Sequence, residues 1–205
     1  MQRSRAVAVA GLIAVAAAAG AAVAFDGAER TPDSALTPGA VAEAPATTTA
    51  VPELPDRGPH PELLEIDGWL QSEVTSLEEL QGKVVAVQFW TFGCSNCKAT
   101  IPHMRELYRK YQDQGFEIVG IHAPEFGFEA DVDNIGRAAD DLGVTWPIAL
   151  DTDKRTFHSW QEGPTGHWPR IYLLDRNGHI RYDHIGEGRY DQTDAAVQAL
   201  LAEAG

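Results

Sequence analysis

The pattern of apolar and polar positions predicts alternating strands and helices from about residue 76 to the end of the chain. Residues 84–90 read Val-Val-Ala-Val-Gln-Phe-Trp and are apolar at almost every position. Such a run predicts a central strand that is buried on both faces. After Cys94, apolar side chains recur at helical spacing as far as Tyr111, which predicts a helix over 98–112.

The rest of this region continues the alternation. Ser76 and Glu79 have the spacing of a capping box and predict a short helical turn that ends at Gly82. Asn177-Gly178 predicts a hairpin turn. The remaining predicted strands cover 116–121, 146–150, 170–174 and 179–185, and the remaining helices cover 132–142, 154–161 and 191–203. This order predicts an α/β fold with a central mixed sheet flanked by helices, parallel on one side and ending in an antiparallel hairpin.

The N-terminal part of the chain has a different composition. A short basic segment is followed by Ala6–Ala24, which carries no charge and ends in Ala-Val-Ala. This pattern predicts that residues 1–24 are a signal peptide or an N-terminal membrane anchor. Residues 25–61 are rich in Pro, Ala and Thr and are predicted to form a disordered tether. Residues 62–205 are predicted to fold as one domain outside the cytoplasm, which means periplasmic, membrane-tethered or secreted.

The charge of the chain argues against one class of partner. The 205 residues carry a formal net charge of −14, and residues 61–205 hold 24 acidic and 12 basic side chains. An acidic surface repels the phosphate backbone, so nucleic-acid binding is not expected.

The two cysteines carry the chemistry that the sequence predicts. Cys94 and Cys97 lie three residues apart at the junction of the predicted strand and helix, which is typical of a thiol–disulfide redox site. Cys94 would lie at the helix N-terminus, where free N–H groups and the helix dipole favour a thiolate. Cys94 is therefore predicted to attack a substrate disulfide, and Cys97 to resolve the mixed disulfide and leave a redox-active Cys94–Cys97 disulfide.

Several segments resemble a known superfamily. Residues 89–98, with Pro102 beyond them, resemble the active-site segment of thioredoxins, and the lead-in over 77–82 resembles the TlpA/ResA-like branch. A longer match from Gly120 through Asp151 to Pro169 is similar to the C-terminal thioredoxin-like domain of DipZ proteins. The resemblance implies a thioredoxin-like fold with an insertion between the second core strand and a hairpin that begins at a cis-proline. It implies an extracytoplasmic thiol–disulfide oxidoreductase, usually reductive, with no cofactor and no metal.

The chain also departs from these relatives. DipZ proteins carry a polytopic membrane module, whereas this chain has at most one predicted span, so the resemblance implies a separate membrane electron donor of the CcdA/DsbD kind. The expected substrates are disulfide-bearing exported proteins. Gln88 occupies the position of a buried Asp that accepts a proton in cytosolic thioredoxins, and an amide cannot act as that base. We hypothesise that Glu125, or else His122, tunes proton transfer at Cys97, because both follow the neighbouring strand at the same edge of the sheet.

The resemblance assigns roles to residues near the predicted hairpin. Pro169 is expected to follow a cis peptide bond, and the backbone of Trp168 is expected to pair with an extended substrate peptide. Trp90, Phe92 and Trp168 form an apolar rim in this interpretation, although Trp90 can equally belong to the core.

Two other functions fit parts of the pattern. A peroxidase of the peroxiredoxin kind is one, since Thr91 stands three residues before Cys94, but Val87 replaces the proline expected four residues earlier. A module that binds Cu(I) through the two thiols and a histidine is the other. A zinc site is disfavoured because the sequence has no second cysteine pair.

Overall fold

The structure is a computed structural model that describes residues 53–161 and 165–203. The predicted signal peptide or anchor, and the tether up to residue 52, lie outside these residues. The strands are β1 (Gly68–Leu70), β2 (Val84–Trp90), β3 (Phe116–His122), β4 (Ile148–Leu150), β5 (Arg170–Leu174) and β6 (Ile180–Ile185). The α-helices are α1 (Ser95–Tyr111), α2 (Val132–Leu142), α3 (Arg155–Trp160) and α4 (Tyr190–Ala202). Short 3-10 turns cover Glu78–Leu80, Gln112–Gln114 and Gly127–Ala130.

The six strands form one mixed sheet in the order β1-β4-β3-β2-β5-β6. Strands β2, β3 and β4 are parallel to one another, and β5 is antiparallel to both β2 and β6. This arrangement confirms the predicted α/β class, the parallel side and the terminal hairpin. Between β3 and β5 the chain adds α2, β4 and α3, which is the expected insertion. Strand β1, antiparallel to β4, was not predicted because three residues are too few to show an alternation.

Strand β2 organises the core on both faces of the sheet. All seven of its residues are buried, as the continuous apolar run predicted. Val84, Ala86 and Trp90 face a cluster that contains residues of α1, α2 and α4. Val85 and Phe89 face a second cluster that contains residues of α3. The sheet is therefore covered on both faces, and the C-terminal end of β2 opens directly into the loop that carries Cys94.

The turn before β2 differs from its prediction. It is a single 3-10 turn, and no side chain caps its N-terminus. Glu79 Oε1 instead accepts hydrogen bonds from the backbone N–H of Thr75 at 3.1 Å and from the Thr75 hydroxyl at 2.8 Å. The capping box assigned to Ser76 is therefore wrong, because the turn begins too late for Ser76 to reach its third residue. Gly82 ends the turn at φ 91° as predicted.

The folded domain begins before residue 62. The backbone N–H of Arg57 donates to the carbonyl of Ile180 at 2.9 Å, and the N–H of Ile180 donates to Gly58 at 2.9 Å. Pro59 forms an antiparallel bridge with His179. The proline-rich composition indicated a tether here, but the outer edge of β6 offers unpaired backbone groups that this segment satisfies.

Within residues 53–161 and 165–203, no helix has the length and apolar character needed to cross a membrane.

Candidate active site

Sheet pairing brings the predicted site residues to one edge. Trp90 at the end of β2 lies beside His122 at the end of β3, and Phe89 lies beside Arg170 at the start of β5. The loop to Cys94, the segment that follows β3 and the residues just before β5 therefore leave the sheet at the same edge. Function at this edge is common in α/β folds, because loops that follow parallel strands meet there.

Cys94 and Cys97 are in direct contact at the start of α1. Cys94 is the N-cap of the helix, and its Sγ accepts a hydrogen bond from the backbone N–H of Cys97 at 3.1 Å. The two Sγ atoms are 2.6 Å apart, and both cysteines are free thiols. Cys94 is partly exposed, whereas Cys97 is fully buried. The geometry gives substrate access to one sulfur and places the second within reach of the first.

The environment of Cys97 keeps its thiol protonated. Burial raises the pKa of Cys97 far above its usual range, and the hydrogen bond and the negative charge that Cys94 presents raise it further. The charge of Glu125 acts in the same direction, while a backbone contact with Thr91 opposes it. Cys97 is consequently a poor nucleophile until its surroundings change.

The residues beneath the cysteines are core residues. Trp90 is fully buried and packs in the same cluster as Cys97, so it does not belong to an exposed rim, and the core alternative is correct. Gln88 is also fully buried, and neither atom of its amide has a hydrogen-bond partner among the described residues. A methyl group at position 120 would lie 2.8 Å from Trp90 Nε1, which is too close. Because Gly120 has no side chain, the indole of Trp90 fits against this strand.

His122 is a buried, neutral side chain beside the active-site loop. It is 1% exposed, and its ring stacks on Phe92 with centroids 5.7 Å apart. Its Nε2 lies 3.4 Å from the hydroxyl of Thr91. Burial lowers the pKa of His122 to about 4, and the nearby carboxylate of Glu129 only partly opposes this effect.

Sequence reasoning missed Glu129, a fully buried carboxylate that joins two loops. Its Oε1 accepts from the backbone N–H of Gly93 at 2.7 Å. Its Oε2 accepts from the N–H groups of Glu125 and Phe126 at 2.6 and 2.8 Å. Burial alone would raise the pKa of Glu129, but these bonds, with one from the Thr91 hydroxyl, outweigh burial and lower that pKa. The carboxylate therefore stays ionised and holds the residue before Cys94 against the loop after β3.

Glu125 lies in the same loop with an exposed side chain. Its backbone is fixed by Glu129, and its carboxylate is within electrostatic reach of Cys97. The role of Glu125 in proton transfer at Cys97 stays a prediction.

The Trp168–Pro169 peptide bond is cis, as the resemblance implied. Trp168 Nε1 donates to the carbonyl of Ala123 at 3.0 Å, and the indole stacks on Phe157 with centroids 4.3 Å apart. The carbonyl of Pro169 accepts from the N–H of Gly186 at 2.8 Å. Among the described residues, none pairs with the backbone N–H or C=O of Trp168.

Asp151 supports Trp168 through α3 and was also missed. It is fully buried, and its carboxylate accepts from the backbone N–H of Phe157 at 2.7 Å and of Thr156 at 3.2 Å. Burial raises the pKa of Asp151, although the hydrogen bonds partly offset this rise. The bond to Phe157 fixes the ring on which Trp168 stacks.

Within the part of the chain that the structure describes, no three His, Cys, Asp or Glu residues are grouped so that they could hold a metal ion.

Comparisons with known proteins agree with this geometry. Residues 56–183 match the AhpC/TSA family. The chain is 38% identical to DipZ of Mycobacterium tuberculosis over 155 residues, which cover 74% of this chain but 22% of DipZ. It is 30% identical to the thiol-disulfide oxidoreductase YkuV of Bacillus subtilis over 147 residues, 72% of this chain and 97% of YkuV. The chain thus spans about a fifth of the length of DipZ and nearly all of YkuV.

Solved structures share the fold. The solution structure of a thioredoxin-like protein in the oxidized form is 31% identical, with a TM-score of 0.64 over 73% of this chain and 98% of that one. A thiol-disulfide isomerase from Corynebacterium glutamicum, 24% identical, has a TM-score of 0.61 over 70% of this chain and 97% of that one. The predicted thioredoxin-like fold is confirmed. The chain therefore belongs to the AhpC/TSA family, among its TlpA/ResA-like thioredoxin-fold members.

Proposed function

We propose that this protein is a thiol–disulfide oxidoreductase that reduces disulfides of exported proteins. The observation that carries the proposal is the pair of thiols at the start of α1, one partly exposed and one buried, with their sulfurs 2.6 Å apart. The similarity to YkuV, a thiol-disulfide oxidoreductase, supports the same activity.

Cys94 makes the first bond in the proposed reaction. Its thiolate, stabilised by the N–H of Cys97, attacks one sulfur of the substrate disulfide. A mixed disulfide forms on Cys94, the substrate's S–S bond breaks, and the other substrate sulfur leaves as a thiolate that takes up a proton. The backbone N–H and C=O of Trp168, which have no partner among the described residues, would pair with the substrate as a strand partner.

Cys97 makes the second bond. It loses its proton and attacks the sulfur of Cys94, which releases the second substrate thiol and leaves a Cys94–Cys97 disulfide. Two electrons pass to the substrate in one cycle. The carboxylate of Glu125 tunes this step, because its charge raises the pKa of Cys97 and so limits the thiolate available for attack.

An outside reductant must then restore the two thiols. We propose a separate membrane electron donor of the CcdA/DsbD kind, which would transfer two electrons through a second mixed disulfide. The location outside the cytoplasm is supported by the basic and uncharged pattern of residues 1–24. An oxidising compartment makes such a donor necessary, because an exposed dithiol there tends to oxidise.

A thiol peroxidase is the second candidate, since the match to the AhpC/TSA family and the threonine at position 91 both favour it.

One set of assays separates the candidates. Purified protein should catalyse the reduction of insulin by dithiothreitol, and Cys94→Ala should abolish that catalysis. Rapid consumption of hydrogen peroxide without insulin reduction would instead identify a peroxidase. Tight Cu(I) uptake without either activity would identify a copper-binding module.

A further inference from the structure

Two phenylalanine side chains are exposed beside the active-site loop. Phe126 and Phe128 are 53% and 57% exposed. Their rings stack with centroids 5.9 Å apart, and the ring of Phe128 meets Phe92 edge-on at 5.8 Å. Phe92 lies two residues before Cys94, so the three rings form a continuous apolar surface that begins in the active-site loop. We call Phe92, Phe126 and Phe128 the phenylalanine platform.

The phenylalanine platform is held in place by polar contacts beneath it. Glu129 accepts the backbone N–H of Phe126 on one oxygen and the N–H of Gly93 on the other. The amide of Asn134 also donates to the carbonyl of Phe128 at 3.0 Å. The backbone that carries the exposed rings is therefore fixed relative to the active-site loop before any partner arrives, and a preorganised surface loses less entropy on binding.

The surroundings of the phenylalanine platform are acidic. Residues 123–137 hold four acidic side chains and one basic side chain, Arg137, whose guanidinium donates to the amide oxygen of Asn134. Three of the acidic residues, Glu125, Asp131 and Asp133, are exposed, while the fourth is the buried Glu129. A partner that covers the platform therefore meets negative charge at its rim, and a basic partner is favoured.

We propose that the phenylalanine platform binds a bulky apolar side chain of an extended substrate segment, next to the substrate cysteine, and that the acidic rim selects Lys or Arg beyond it. This inference rests on the proposed reduction of protein disulfides. In an extended segment, side chains on one face recur about every 7 Å. An apolar residue two positions from the cysteine therefore reaches the rings while the cysteine faces Cys94.

A second copy of this chain fits the phenylalanine platform poorly. Its residues 61–205 carry the same excess of 12 negative charges, so two acidic rims would repel. Three partly exposed rings also offer far less than the roughly 800 Å² per partner that a stable interface buries.

The test uses the full chain and peptides that carry one cysteine in a mixed disulfide with thionitrobenzoate. The first peptide has Phe two residues after the cysteine and Arg beyond it. The second has Ser in place of Phe, and the third has Glu in place of Arg. We expect wild-type kcat/KM for the first peptide to be at least about fivefold higher than for the second. At low salt, kcat/KM for the first peptide should also be higher than for the third, and this difference should disappear at high salt. The double variant Phe126→Ser/Phe128→Ser should lose the preference for Phe.

A control variant and a small substrate separate the outcomes. Leu64→Ser removes another apolar side chain, 38% exposed and outside the platform, and should keep the full preference. Equal rates for all peptides, with normal reduction of Ellman's reagent, would overturn the inference and leave the proposed function standing. No reduction of any disulfide would overturn both. Self-association of the wild type that the double variant abolishes, with unchanged peptide rates, would assign the surface to a second copy instead.

Discussion

The backbone N–H of Gly93 donates a 2.7 Å hydrogen bond to the carboxylate of Glu129, 36 residues later in the chain. This bond fixes the residue before Cys94 to the loop that displays Glu125 and Phe126. Gly93 does not have a positive φ, so its backbone conformation does not require glycine. The requirement is one of space, because a Cβ at position 93 would overlap Glu129 Oε1.

Gly93→Ala should therefore destabilise the fold through Glu129. The carboxylate cannot move aside freely, because it is buried and held by two other backbone N–H groups. We expect a loss of about 1.5–3 kcal/mol in the free energy of unfolding, the range for a hydrogen bond to a charged group. Urea unfolding of the wild type and of Gly93→Ala at pH 7 measures this loss.

A double-mutant cycle supplies the control for this prediction. In a Glu129→Ala background the added methyl group has room, so Gly93→Ala should cost much less there than in the wild type. An equal cost in both backgrounds would show that the contact between these residues is not the cause.

His122 should make stability fall in mild acid. Burial lowers the pKa of His122 to about 4 in the folded state, whereas an unfolded histidine titrates near 6.5. The unfolded chain therefore binds this proton first as the pH falls, and the stability that the neutral ring contributes is complete above pH 6.5 and decreases towards pH 4. We expect a loss of about 2–3 kcal/mol between pH 7 and pH 4.5 from this group.

The matched measurement compares wild type with His122→Phe. Both proteins are unfolded in urea at pH 7 and at pH 4.5. Between pH 7 and pH 4.5, the variant should lose about 2–3 kcal/mol less stability than the wild type loses. Carboxylates that titrate in this range affect both proteins alike. Parallel losses in the two proteins would contradict a buried, neutral His122.

The elements with strong periodicity were predicted well from the sequence. Strand β2 and helix α2 were predicted with the boundaries that the structure shows, since one is uniformly apolar and the other ends at Gly143, which has a φ of 66°. The position of Cys94 at the N-terminus of α1 also followed from local pattern alone. The short strand β1 and the pairing of residues 57–60 with β6 could not be predicted, because their partners lie far away in the sequence.

The buried carboxylates were missed for a related reason. Glu129 and Asp151 bond to backbone N–H groups rather than to basic side chains, and no sequence pattern shows which N–H groups a fold will bring near. The one available signal for Glu129 was its spacing from Phe126, since a carboxylate three residues after the start of a short turn can accept the backbone N–H of the first residue.

Glu125→Gln should accelerate the resolving step. The charge of Glu125 raises the pKa of Cys97, so its removal increases the fraction of Cys97 thiolate at a fixed pH. We expect release of thionitrobenzoate from a mixed disulfide on Cys94 to become about two- to fivefold faster at pH 7, the range for a screened charge at the surface. Stopped-flow absorbance follows the release.

Asp133→Asn is the control for Glu125→Gln. It removes a charge of the same sign from an exposed residue that is not among the main causes of the raised pKa of Cys97, and it should leave the rate unchanged. A slower release in Glu125→Gln would contradict the electrostatic role and indicate that the carboxylate removes the proton itself.

The division of roles between Cys94 and Cys97 is the central claim, and trapping of the mixed disulfide tests it most directly. Cys97→Ala and Cys94→Ala are each incubated with a disulfide-bonded protein substrate, and the products are identified by intact-mass and peptide mass spectrometry. We expect Cys97→Ala to accumulate a substrate adduct on Cys94, because nothing remains to resolve it, and Cys94→Ala to form none, because Cys97 is buried and protonated. An adduct on Cys97 in the Cys94→Ala protein, together with no adduct on Cys94 in the Cys97→Ala protein, would contradict these roles.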